Sequence, residues 1–593
     1  MITWQMILVF TLLVFILISL YRELFGPVLT FIMAVVVLGL TGILKPSEIL
    51  SGFGNEQLVV IILLLLLGDI IRKTRVIQRV FDRIFSASLD YKGFLGRMMG
   101  LVAVFSAFMN NTPLVAVMMP YVHSWSRKNS ISPSRLLIPL SYAAILGGCA
   151  TLIGTSTNLI VNSMVVEQGI LPNGRGLEMF SFLPAGGAML IIGTLFMVTL
   201  GYRLLPSKKD ILEQFAVNER EYILEAQVVA GSSLIATTVE AAGFSGSKGV
   251  YLAEIVREDV SITPVQPDTA LEAGDVLLFT GDFSAVTTMI EQHADLSFPA
   301  ARRYSRRTHL EVAEIVVSHN SLLIGKTARE TEFTSKFDAS IVAIHRNGER
   351  VSGKLGETRF RAGDVLLLYA GPDLAQRGAD TQDFYFISRA KDINRFEPWK
   401  ITVMLIGTAA AITLSALKLV PLVLSLLVLI IVLSFLKVAA PKDIVRGIDY
   451  KLYILIALSL ALGKAMVNTG AAELIASGFI SLFRPLGLPG ILFGVYLITA
   501  VLAAYITNKA AVAVIFPIAM TTALELGVNP VPFVLAVSFA AAANFMTPIG
   551  YQTNLMVYGP GGYSFKDFMR VGTPLTVIYM AVTVTVLSLM YFR

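Results

Sequence analysis

Apolar stretches of transmembrane character recur along this chain in two groups of five, with a polar segment from 205 to 395 between them. They lie near 4–21, 26–44, 57–71, 136–166 and 180–204, and again near 399–417, 420–438, 451–467, 530–560 and 570–592. In hydrocarbon each backbone polar group must find its partner inside its own segment, so such stretches have to be helices. Only 15% of the residues are charged, against roughly a quarter in a soluble domain, so much of the surface is expected to face lipid. The first stretch, Trp4 to Tyr21, has no Lys or Arg ahead of it and no small-residue cleavage site. It reads as a retained span and not a signal peptide. The single cysteine, Cys149, excludes an intrachain disulfide.

Two further apolar stretches, 95–124 and 488–526, are interrupted midway by Asn110-Asn111-Thr112-Pro113 and by Thr507-Asn508-Lys509. A polar break at membrane depth cannot face lipid, so each reads as a re-entrant hairpin. The two halves answer each other at a nearly constant offset: Trp4 with Trp399, Gly68 with Gly463, Asn111 with Asn508 and Asn158 with Asn554. This is an internal duplication. An odd number of spans per copy inverts the second copy, a common plan in secondary transporters. Arg72, Lys73, Arg75, Arg79, Arg83, Lys92 and Arg97 share one loop, and Arg127, Lys128 and Arg135 flank the far end of the first hairpin. The opposite loops hold only Lys45 and Arg175. The positive-inside rule then places the insert in the cytoplasm and both termini outside, in a multi-pass protein of the cell membrane.

The insert has short alternating runs such as Gly249–Val256 and Ser340–Ile344, which are strand-like. It is duplicated as well: Arg257 answers Arg346, and Ala273-Gly274-Asp275-Val276-Leu277 answers Ala362-Gly363-Asp364-Val365-Leu366. Gly-Asp ahead of an apolar run is the chemistry of a tight turn feeding a strand. The fold expected is thus an all-α polytopic membrane protein of inverted five-span repeats, each with a re-entrant hairpin and an unwound helix, carrying a cytoplasmic α+β tandem. The boundaries are 1–204, 205–300, 301–395 and 396–593.

Each hairpin tip is followed some forty residues on by a second polar break, Gly154-Thr155-Ser156-Thr157-Asn158 in one half and Gly550-Tyr551-Gln552-Thr553-Asn554 in the other. Carboxamides, hydroxyls and freed carbonyls suit a dehydrated hard cation, while broken helices aim N–H groups at an anion. For a lone Asn, close helix packing would explain the residue equally well; four polar breaks in two matched pairs favour a site.

These tips resemble the paired Ser-Asn-Thr motifs of the divalent anion/sodium symporter family, the sodium–dicarboxylate and sodium–sulfate cotransporters. Gly154–Asn158 and Gly550–Asn554 are similar to that family's Gly-Thr-Pro-Pro-Asn loops, with Ser156-Thr157 and Gln552-Thr553 in place of the prolines. The resemblance implies a sodium site at Asn111 and the Gly154 backbone, and a second at Asn508 and the Gly550 backbone. It implies an anion pocket lined by Asn110, Thr112, Thr155, Ser156, Thr507, Lys509, Tyr551 and Gln552, supported by Asn158, Thr553 and Asn554. Lys509 stands where the family has Thr; a lysine at membrane depth is a functional candidate, expected to take over the charge of one sodium or to carry a proton. The insert resembles a tandem of the C-terminal ligand-binding domains of potassium-uptake regulators, with a nucleotide or cyclic dinucleotide as an expected effector. Sulfate is the favoured anion, a succinate- or malate-type dicarboxylate the alternative, and a homodimer the expected assembly. A ligand-gated channel is the competing class, although no T-V-G-Y-G type filter is present. No residue cluster points to an enzyme, a further cofactor or a nucleic-acid polymer.

Overall fold

A computed structural model describes residues 3–22, 24–73, 85, 90–171, 176–208, 223–244, 250–258, 260–262, 265–281, 296–297, 312–319, 321–346, 349–351, 355–370, 373–379, 381, 383–387, 397–417, 419–439, 444, 448, 450–548 and 550–592. Arg75, Arg79, Arg83, Arg175 and the junctions 300/301 and 395/396 lie outside the described residues. Among the described residues, six runs of helix are long and apolar enough to cross a membrane: Trp4–Tyr21, Pro46–Gly68, Leu183–Leu204, Tyr450–Asn468, Ala471–Tyr505 and Phe565–Tyr591. Shorter apolar helices accompany them, including Pro27–Leu40, Ser134–Gly148, Leu422–Phe435 and Val531–Ala542. Peripheral helices turn large apolar side chains outward: Ile7, Val14 and Ile18 on Trp4–Tyr21, and Leu424, Val428, Ile431 and Phe435 on Leu422–Phe435. So extensive an exposed apolar surface belongs against lipid.

At the centre the helices are broken. Tyr91–Ser106 ends ahead of Asn111–Lys128, and Gly487–Tyr505 ahead of Asn508–Glu525. The stretch expected near 136–166 divides into Ser134–Gly148 and Ser156–Glu167, and that near 530–560 into Val531–Ala542 and Gln552–Tyr558. The halves interlock at these breaks. Ser156–Glu167 packs on Val531–Ala542 and Asn508–Glu525, while Gln552–Tyr558 packs on Ser134–Gly148 and Asn111–Lys128. Two helices among the described residues escaped the sequence reading, Pro46–Ser51 and Ala471–Phe483; the second is entered through Gly470 at φ +72°. At 13 residues it is short of a bilayer-length run by itself and reaches that length only as the first part of the run Ala471–Tyr505.

The insert forms two antiparallel sheets. The first contains β1 (Ile223–Val228), β2 (Val250–Arg257), β3 (Val260–Ile262), β4 (Val276–Gly281) and β5 (Leu296–Ser297), in the order β3-β2-β4-β1-β5. The second contains β6 (Val312–Val317), β7 (Ala339–Arg346), β8 (Glu349–Arg350), β9 (Val365–Ala370) and β10 (Phe384–Phe386), in the order β10-β6-β9-β7-β8, which is the same topology. Both Gly-Asp turns place glycine at positive φ, +89° at Gly274 and +85° at Gly363, where only glycine is unstrained. The aspartates that follow are buried and held side-on by two nitrogens of an arginine guanidinium: Arg257 Nε and Nη2 lie 2.9 and 2.8 Å from Asp275, and Arg346 Nε and Nη2 each 2.8 Å from Asp364. The matched turns are therefore structural clamps.

The second sheet sits directly on the helical body. Val316, Val365 and Ile387 are buried in the same apolar cluster as the helices, and β10 lies against Asn111–Lys128. A Cβ on Gly559 would fall 2.4 Å from Gly363 O, and one on Gly363 would fall 3.1 Å from Leu555 Cδ1. The Gly363 turn thus rests backbone to backbone against the end of Gln552–Tyr558.

Candidate functional site

Asn111 opens its helix and is buried. One end of its carboxamide lies 2.6 Å from Tyr551 Oη. The other lies 2.5 Å from Ser106 Oγ and 3.2 Å from both Ala144 O and Gly154 O. Ser106 has a single proton, and Ala144 O stands 2.7 Å away to accept it. The Asn111 end facing this group is therefore nitrogen when nothing else is bound, its two hydrogens shared among the three oxygens while Tyr551 donates to Oδ1. With the carboxamide turned over, the same groups become a nest made only of oxygens. A cation is the partner that would satisfy all of these oxygens at once. Tyr551 tolerates either orientation because a phenol both donates and accepts.

Glycine makes this closeness attainable. A Cβ on Gly154 would meet Gly148 O at 2.6 Å and Ser106 O at 2.9 Å, and one on Gly148 would meet Asn111 Oδ1 at 2.6 Å. Around the nest, Thr155 Oγ1 lies 3.2 Å from Tyr551 Oη, and Thr112 donates to Gln552 Oε1 at 2.9 Å. First-half and second-half residues thereby share one buried polar network.

Beneath it the two loops are tied in the same manner. Asn158 donates to Thr151 O at 2.7 Å and accepts from Ser538 at 2.8 Å. Asn554 donates to Asn544 O at 2.8 Å and Thr547 O at 3.1 Å, and accepts from Ser141 at 2.7 Å. Ser141 Oγ also lies 2.8 Å from Thr553 Oγ1. Each loop asparagine is thus latched by a serine of the opposite half. The hydroxyl of Thr151 bonds Ala107 O, and that of Thr547 lies 3.4 Å from Ala504 O, which ties each loop back to its own hairpin.

The second tip is built differently. Thr507 caps its helix, accepting from Ala510 N at 3.3 Å. Asn508 Oδ1 is buried and meets no hydrogen-bond donor among the described residues. Lys509 follows it in the first turn, half-buried. Gly550 packs against a side chain: its Cβ would fall 1.9 Å from Asn544 Nδ2. Asn110 and Ser156 stand apart from the central network, lining an apolar crevice with Ile61, Leu64, Phe108 and Ile412.

Three long helices, Asn111–Lys128, Ser156–Glu167 and Asn508–Glu525, begin at these breaks. Their N-termini carry partial positive charge, which favours an anion near such an end. Among the described residues no group of His, Cys, Asp and Glu could hold a metal ion; neutral oxygens like those gathered at Asn111 are the kind of ligand that hard cations take. Sequence reading missed Ser106, Ser141, Ser538, Thr151, Thr547 and Asn544. Thr151 and Thr547 stand at the same offset as the loop asparagines, a signal that was there to be read.

The chain matches the citrate transporter family over residues 10–488 and again over 403–593. An uncharacterized transporter of Synechocystis sp. is 33% identical over 575 residues, covering 95% of this chain and 93% of its own length. An uncharacterized transporter of Escherichia coli is 28% identical, with 94% of each chain covered. Sodium/sulfate cotransporter 1 of Chlamydomonas reinhardtii is 24% identical over 98% of this chain and 89% of its own length.

Proposed function

This chain belongs to the citrate transporter family, and from that premise we propose that it is a secondary active transporter coupling sodium to the uptake of a divalent oxyanion, sulfate foremost. Its relatives are transporters, and its helices are those of a multi-pass membrane protein. The observation that carries the reading is the Asn111 nest, where a carboxamide, a hydroxyl and two carbonyl oxygens converge within 3.2 Å in a buried site. A cation bound there turns Asn111 Oδ1 inward, and Asn111 Nδ2 then donates to Tyr551. Tyr551 and its neighbour Gln552 join the cation to the pocket in which Thr112, Thr155 and the helix N-termini would receive an anion. Binding of one ion thereby prepares the place of the other. The similarity to a sodium/sulfate cotransporter supports sulfate; the family's citrate transporters keep a carboxylate substrate as the second reading.

The breaks at Asn111 and Asn508 act in this reading as tips of re-entrant hairpins in two inverted repeats, 1–204 and 396–593. The modules 205–300 and 301–395 lie in the cytoplasm of a homodimer and regulate transport on binding a nucleotide-like effector. The Gly363 turn, pressed on the helix that begins at Gln552, supplies a direct route from insert to site. Uptake of sulfate, succinate, citrate and phosphate into proteoliposomes, with and without a sodium gradient, tests the proposal. Sulfate uptake driven by sodium and lost in Asn111→Ala supports it; uptake of the organic acids alone moves the assignment to a carboxylate. Uptake of every anion at equal rate without sodium sinks the coupling.

A further inference from the structure

The two tips differ at the atoms that would touch a cation. In the first half, Ser106 and Gly148 flank Asn111, and Gly148 leaves its side-chain space to the Asn111 carboxamide. The positions that answer them in the second half are Ala503 and Asn544. Ala503 offers no hydroxyl. Asn544, buried, sends its side chain into the space that Gly148 leaves open, with Nδ2 donating to Ala503 O at 2.7 Å and Oδ1 accepting from Thr547 at 3.3 Å. Its Nδ2 is so close to the loop that a methyl group on Gly550 would overlap it.

We propose that the Asn544 amide occupies the second cation site permanently, so that this transporter couples anion uptake through the Asn111 site alone. The inference rests on the sodium-coupled reading above and deepens it. An N–H₂ group carries the partial positive charge that a backbone carbonyl needs, and here it is already committed to Ala503 O. For a cation to enter, Asn544 would have to swing away, leaving a buried amide and a buried carbonyl without partners, an arrangement folded proteins avoid. Asn508 Oδ1 is buried and meets no hydrogen-bond donor among the described residues, and the next residue in the chain, Lys509, already carries a positive charge. Among the described residues Asn508 has no counterpart to the bond between Asn111 and the Tyr551 hydroxyl. The answering residue, Thr155, has its hydroxyl on Tyr551.

The test reads sodium binding as well as transport. Purified full-length protein is titrated with sodium chloride against choline chloride, following thermal stability, and sulfate uptake is followed over the same range in proteoliposomes. A Hill slope cannot exceed the number of coupled sites. Wild type should respond with a slope of about one, and Asn111→Ala should lose the stability response altogether. Asn544→Gly, which restores the residue of the first half, should steepen the slope toward about two. Asn544→Asp, which keeps the shape but replaces the donor by oxygen, should add a second phase of sodium stabilisation even if the glycine variant folds poorly. A wild-type slope near two, or a sodium response surviving in Asn111→Ala, overturns the inference while leaving sodium coupling intact. Two folded Asn544 variants with the wild-type slope overturn it too. Absence of any sodium response in wild type overturns the coupled reading itself.

Discussion

Gly154→Ala is the substitution that strikes the proposed cation nest with least change in chemistry. The added methyl would stand 2.6 Å from Gly148 O and 2.9 Å from Ser106 O. Ordinary carbon–oxygen contact lies near ~3.3 Å or beyond, so the loop must yield by several tenths of an ångström against two backbone atoms that have no rotamer to change. Overpacking of this kind costs about 1–3 kcal/mol. The loop relieves it by drawing Gly154 O away from Asn111 and Ala144, the geometry the cation uses. If that whole cost falls on the ion-bound state, sodium affinity drops by roughly 5- to 150-fold, at 1.4 kcal/mol per decade. The assay is the sodium dependence of sulfate uptake in proteoliposomes, with Gly100→Ala as control, because a Cβ there meets nothing within 4 Å. The sodium concentration for half-maximal uptake should rise in Gly154→Ala and stay put in Gly100→Ala. An unchanged sodium dependence in a folded Gly154→Ala protein would refute the placement of the cation beside this loop.

Three further outcomes are expected. Ser538→Ala leaves the Asn158 oxygen without its 2.8 Å donor, and Ser141→Ala does the same to Asn554; each should lower stability by about 1–3 kcal/mol, read as a shift of the thermal midpoint, whereas Ser477→Ala on the exposed face of Ala471–Phe483 should not. Gly559→Ala drives a methyl into Gly363 O, 2.4 Å away, so amide exchange should quicken in β9 and in 552–558, while Gly478→Ala, in open space, leaves both protected. His345 is buried in β7, and burial, aided by Arg350, pushes its pKa down to about 4. Its neutral form is the one that fits the fold, so stability is full above the unfolded value of about 6.5 and declines as pH falls toward about 4, at ~1.4 kcal/mol per unit; amide exchange in β7 should quicken over that window in wild type and not in His345→Gln.

Much of the site was legible because polar breaks inside apolar runs have so few physical explanations. Asn111, Thr112, Gly154, Thr155, Tyr551 and Gln552, named from spacing, composition and family resemblance, do meet in one buried network. Asn110 and Ser156 carry the same chemistry yet line an apolar crevice instead. Adjacent residues at a helix start point in different directions, and residue type does not record which. Ser141 and Ser538 look like ordinary helix serines until the opposite half is brought against them.

Sequence by itself determined that the chain is a helical membrane protein with an intervening strand-rich segment, because hydrophobic period and backbone hydrogen-bond demand are local properties that a linear string carries in full. It also placed the four breaks, since Asn, Gly and Thr within apolar helices are costly wherever they occur. Only the tertiary structure decided which oxygens converge. Asn111 meets Tyr551 across 440 positions, and Asn544, not a neighbour in the motif, fills the space beside Gly550. Such pairings depend on how two separate helix breaks are pressed together, and packing geometry at the scale of a methyl group is written in no single stretch of residues.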